Sequence, residues 1–182
     1  ELFSFNQSTQ QAFYFFESVT LFAQVVESDD WVGAFNGDIC VGARQWNTTG
    51  SCSDIQYTDE TVCEGSGETW DWTLCNNGAC DVPAMGYDGL FDTEGYMQTG
   101  DIPTFKIYDS SENIYYDAEV SGLVSQPDNN GDNYPECEGI APACMEWNNF
   151  GFYNADNLIG GVLGCMDDSA CNYNETATID DE

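Results

Sequence analysis

The sequence predicts an all-β fold: an Ig-like antiparallel β-sandwich with two disulfide-stapled loop insertions and a short Cys/Asp/Asn-rich C-terminal segment. Three observations carry this. Short aromatic and β-branched runs recur, each bounded by Gly, Asn, Asp or Pro, and no long stretch repeats apolar residues at helical spacing. Two pairs of runs are joined by turn residues as hairpins. Most of the nine cysteines lie in polar stretches between the runs.

In chain order, the predicted strands are LFSF (2–5), QAFYFFESVTLFA (11–23), WVGAFN (31–36), DICVGARQW (38–46), DVPAMGY (81–87), PTFKIYD (103–109), NIYYDAEV (113–120) and NFGFYNADNLIGGVL (149–163). The first hairpin, 31–46, turns at Asn36-Gly37, a type I′ dipeptide. The second turns through Asp109 to Asn113. Alternation sets the faces. Phe105 and Ile107 point one way, Lys106 and Tyr108 the other; Ile39, Val41 and Ala43 oppose Cys40, Arg44 and Trp46. The body is expected to span 1–163. Its insertions, 50–79 and 124–147, are too polar to order themselves, so disulfides must constrain them, at about 2–4 kcal/mol each. Residues 164–182 form a separate short segment.

Charge excludes whole classes of partner. There are 33 Asp and Glu against Arg44 and Lys106, no His, and a net charge of −31. Nucleic-acid backbones and anionic membranes need Lys and Arg, so both are excluded. No apolar run is long enough to span a membrane. Without His, Ser–His, Cys–His and His–metal chemistry have no base or ligand. Many carboxylates are present, but none is marked as a catalytic pair. The chain is therefore expected not to be an enzyme, and no catalytic residue is assigned. So dense a charge repels itself and calls for cations, salt, cross-links or a large core to offset it.

The cysteines are Cys40, Cys52, Cys63, Cys75, Cys80, Cys137, Cys144, Cys165 and Cys171. With no His and no paired CxxC, they read as disulfide candidates in an oxidising compartment. The odd count leaves one thiol free, or paired outside the chain, or matched beyond Glu182. The start at Glu1, without initiator Met or basic leader, leads to the expectation of a mature or trimmed product. Sequons place candidate N-linked glycans at Asn6, Asn47 and Asn174.

Asp128, Asn130, Asp132 and Glu136 have the spacing to converge oxygens on calcium, or they form a solvated acidic turn. The tail oxygens of Asp167, Asp168, Asn172, Asn174, Asp180 and Asp181 offer the same choice. Trp70 and Trp72, flanking Asp71, would suit sugar stacking, or would anchor the first insertion. Trp31 and Trp46 flank a hairpin and are expected in the core. Lys106 and Arg44 are expected in ion pairs. The apolar start could donate a strand to a neighbouring subunit, or pair within its own sandwich.

The tail GCMDDSACNYNETATIDDE (164–182) resembles the repeat GCxDxxACNYNxxATxDDGSC of large secreted proteins of aquatic bacteria. Gly164, Cys165, Asp167, Ala170, Cys171, Asn172, Tyr173, Asn174, Ala177, Thr178, Asp180 and Asp181 match, and the pattern is departed from at the end, where Glu182 stands in place of the Gly, Ser and third Cys expected to follow. FNQSTQQAFYFF, DWVGAFNGDICVGAR, GDIPTFKIYD and NFGFYNADNL resemble the β-module that often precedes such repeats. The resemblance implies an extracellular or cell-surface protein with a structural or adhesive role. The leading expectation is a structural subunit that assembles with copies of itself into an extracellular fibre or surface layer. A carbohydrate-binding or adhesive module is the alternative.

Overall fold

The computed structural model describes residues 3–48, 50–54, 56–71, 75, 80–127, 136–162, 164–166 and 177–179. The all-β expectation holds, with the strands curled into two packed layers. They are β1 (Gln11–Leu21), β2 (Gln24–Val25), β3 (Trp31–Asn36), β4 (Ile39–Gln45), β5 (Ser51–Cys52), β6 (Trp70–Asp71), β7 (Cys80–Met85), β8 (Thr104–Asp109), β9 (Ile114–Gln126), β10 (Cys137–Ile140) and β11 (Phe152–Gly161). A short helix, α1 (Glu60–Gly65), lies in the first insertion. The main sheet runs β2-β1-β11-β9-β8-β3-β4, with β7 also on β1 and β10 also on β9. One pair departs from an antiparallel plan: β1 and β11 run parallel, from Phe13 beside Phe152 to Leu21 beside Gly160.

Alternation builds the core. Ala12, Tyr14 and Phe16 point inward from β1, and Tyr153 and Ala155 from β11. Past Glu17 and Asp156 the inward positions shift in both strands to Val19, Leu21 and Leu158. Phe105 and Ile107 of β8 are buried in the same core, as their spacing predicts. The sheet closes into a sandwich where β7 meets β4. A β-carbon at position 42 would lie 1.7 Å from the Pro83 carbonyl oxygen, so glycine lets the β7 backbone rest directly on β4. Beside it, the Arg44 guanidinium donates to both Asp81 carboxylate oxygens, at 3.0 and 2.8 Å, and its Nε donates to the Asp81 carbonyl at 3.1 Å.

Several sequence expectations need correction. Residues 3–8 form no strand. The first hairpin turns one residue later than expected: Asn36 pairs with Ile39, and Gly37 takes φ 59°. The loop is therefore Gly37-Asp38, glycine first, as type II′ loops prefer. Phe35 pairs with Cys40 and Ala34 with Gly42, which leaves Val41 as an unpaired bulge residue. The bulge breaks the expected alternation: Val41 enters the main core, while Ala43 and Cys40 lie in a second cluster on the opposite face.

The second insertion is less of a loop than its composition suggests. β9 runs on to Gln126 and pairs with β10. Met145 and Trp147 are 3% and 1% exposed, so the end of the segment is core. In the first insertion, the Asp59 carboxylate caps α1 by accepting from the Val62 amide at 3.0 Å. Disulfides link Cys52 to Cys63, Cys75 to Cys80 and Cys137 to Cys144. These bonds fit an oxidising environment. Among the described residues, Cys40 and Cys165 are free thiols, and Cys171 lies outside them. The tail is not wholly detached. The Thr178 and Ile179 amides donate to the Val162 carbonyl at 2.8 and 3.1 Å, against the end of β11. No described helix is long and apolar enough to cross a membrane.

Candidate functional site

The outer face of β4-β3-β8-β9 carries the most distinctive arrangement. Register puts Ala43, Gly33, Lys106 and Asp117 in one row across it. The row below runs from Cys40 to Phe35, and the row above joins Trp31, Tyr108 and Tyr115. Gly33, with no side chain, is a recess in the middle of this aromatic ring. Phe3 fills it: a β-carbon on Gly33 would lie 2.8 Å from the Phe3 ring. Phe3 meets Phe35 edge-on at 5.6 Å and Tyr115 at 5.2 Å, and is 9% exposed. Such edge-to-face pairs are favoured by the ring quadrupoles.

The socket is not full. A cleft of about 400 Å³ stays open beside Phe3, lined by Phe3, Ser4, Phe35, Cys40, Lys106 and Tyr115. The Cys40 thiol donates to the Gly42 carbonyl at 3.6 Å, and burial pushes its pKa up, so it is a poor thiolate. Lys106 pairs with Asp117 and lies 5.8 Å from the Phe35 ring centre. Both expected ion pairs, of Lys106 and of Arg44, therefore form.

Among the described residues, the arm that delivers Phe3 is hydrogen-bonded to the body near its root. The Asn6 amide donates to the Tyr96 hydroxyl at 2.7 Å, and Asn6 Nδ2 to the Asp92 carbonyl at 2.8 Å. The Ser8 hydroxyl donates to the Gly86 carbonyl at 2.6 Å. Among the described residues, Phe3, Ser4 and Phe5 show no hydrogen bond, and Phe3 is held by its ring contacts with Phe35 and Tyr115.

The other site expectations resolve unevenly. Asn6 is exposed and Asn47 half-buried, while Asn174 lies outside the described residues. Asp128, Asn130 and Asp132 also lie outside them; Glu136 is exposed just before β10. Among the described residues no three acidic or Cys side chains gather as a metal site would. Trp72 lies outside the described residues as well. Trp70 is half-buried against Gly50, where a β-carbon would meet its Nε1 at 2.3 Å. Trp46 is core, as expected, and Trp31 packs against the outer cluster. Sequence reading missed the socket. Its one signal was Gly33 between Trp31 and Phe35 in a strand, where glycine often marks a close approach.

Two exposed turns are pinned by carboxylates. The Thr93 hydroxyl donates to Asp88 at 2.7 Å, and the Leu90 amide to the same oxygen at 3.2 Å. The Ser111 hydroxyl and the Ser111 and Glu112 amides donate to Asp109 at 2.7, 2.9 and 3.0 Å. These donors, the hydroxyls first, hold both carboxyls below their ordinary range. A depressed pKa stabilises the fold above the unfolded value, about 3.9, and that contribution is lost as pH falls through the folded value. In NMR titrations the Leu90 and Glu112 amide shifts are therefore expected to have midpoints below about 3.9. Midpoints at or above that value would contradict the pinning.

No family model, no curated protein and no solved structure matches the chain.

Proposed function

We propose that the chain is a structural subunit that assembles with copies of itself outside the cell, in a fibre or surface layer. The observation that carries this is the apolar surface left in water. Phe91 is 90% exposed, Val25 76%, Ile140 67% and Phe150 62%, on a chain whose net charge is −31. Charge on that scale keeps a protein soluble without help, and Phe152, 43% exposed and stacked on Phe13 and Phe15, makes part of that surface a contiguous apolar patch that suits contact with a partner. The disulfides suit an extracellular setting, and glycans at Asn6 and Asn47 would add to its durability.

Copies of this chain repel one another, so assembly requires screening by salt or a divalent ion such as calcium. Electron microscopy of purified native material in calcium is expected to show fibres or sheets. Only isolated particles under those conditions would count against the reading.

A further inference from the structure

We infer that the outer-face socket around Gly33 is a subunit-joining site, filled in the assembly by the Phe3 arm of a neighbouring copy. This rests on the self-assembly reading and deepens it. The occupant is identified by the structure itself, since the socket is seen holding this very segment. The same Phe35 and Tyr115 edges, and the same glycine recess, would receive Phe3 from either chain.

The attachment suits exchange. Among the described residues, 3–5 show no hydrogen bond to the sheet, and the root is anchored at Asn6, Ser8, Thr9 and Gln10 through Tyr96, Asp92, Gly86 and Asp88, bonds that the exchanged arm would have to release and remake. Residues 3–10, fully extended, span at most about 26–29 Å, enough to reach an adjacent domain. An exchanged arm makes the same contacts as a home one, so little free energy separates the two states. Closed arms are then favoured at low concentration and low salt, where copies repel. Exchanged arms are favoured when charge is screened and exposed apolar surfaces such as Phe91 and Val25 come into contact. The arm leaves the body at the start of β1, while the socket lies on β3, β4, β8 and β9. Donor and acceptor surfaces differ, so arms passed in one direction make a head-to-tail contact, which propagates as an open chain where its rotation does not close.

Ser4 and Cys40 line the same cleft, which supplies the test. A donor carrying Ser4→Cys and Cys40→Ser is mixed with the wild-type chain, screened with salt and calcium, and oxidised mildly. A short bis-maleimide replaces the oxidant if the two sulfurs do not meet. Peptide mass spectrometry of the cross-links reads the outcome. The expected result is an interchain link from position 4 of the donor to Cys40 of the other chain. In the Ser4→Cys single variant, the link is expected to shift from intrachain to interchain as salt rises. Phe3→Ser, which keeps its socket, is expected to shorten wild-type assemblies when mixed in. Assemblies that form with the link to Cys40 remaining intrachain, or with Phe3→Ser having no effect, would overturn arm exchange and leave self-assembly standing. A chain that stays monomeric at every salt concentration would overturn both.

Discussion

Trp147→Ala is expected to destabilise the fold by about 3–5 kcal/mol, the range for truncating a large buried aromatic. At this chain length that lowers Tm by roughly 6–20 °C. Trp147 is 1% exposed. Its indole N–H donates to the Ala84 carbonyl at 2.9 Å, and its backbone amide to the Asp101 carbonyl at 2.7 Å. The ring lies over Gly86, where a β-carbon would come within 2.4 Å of it. Truncation would therefore empty a deep site and leave the Ala84 carbonyl short of a donor. Trp147→Phe, which keeps most of the volume but loses the N–H, is expected to cost about 1–3 kcal/mol. Thermal unfolding followed by circular dichroism separates the two. A Trp147→Ala chain melting within about 2 °C of wild type would show that the end of the second insertion is not core.

Gly42→Val is expected to be the other severe change, for the opposite reason. Overpacking a well-filled contact costs typically about 1–3 kcal/mol, and more where backbone must move. Here the obstacle is backbone, the Pro83 carbonyl 1.7 Å from where the new β-carbon would be. The valine must lift β7 from β4, and with it the Arg44–Asp81 pair, which is about a quarter exposed on each side. A loss at the upper end of that range, about 3 kcal/mol or more, is expected in urea unfolding. Gly37→Val, in an exposed turn with open space around it, probes only the φ 59° backbone and should cost less. Equal losses at the two positions would contradict close approach as the reason for Gly42.

The sequence made the strands legible and left their partners obscure. Period-two alternation located Phe105 and Ile107 on the inner face, and turn residues found both hairpins, because both signals are local. The bulge at Val41 was not legible, because nothing nearby marks an extra residue. LFSF has the alternation of a strand, with Phe3 and Phe5 two apart. Its destination is a recess on a sheet face rather than a sheet edge, and only the folded placement of Gly33 reveals that. The second insertion was misjudged on mean polarity: its acidic middle concealed Met145 and Trp147, which reach the core. The calcium-loop candidates Asp128, Asn130 and Asp132, and Trp72 of the sugar pair, lie outside the described residues. The socket was the least legible feature, since it draws residues from four strands and the arm.

The central claim, that this acidic domain joins copies of itself once its charge is screened, is tested most directly by sedimentation velocity. The chain is compared in low salt and at about 150 mM salt with calcium, where the screening length shrinks to about 8 Å. The account expects monomers in the first condition and a concentration-dependent series of larger species in the second, reversed by removing the salt and calcium. A single monomeric boundary in both, at every concentration tried, would contradict it.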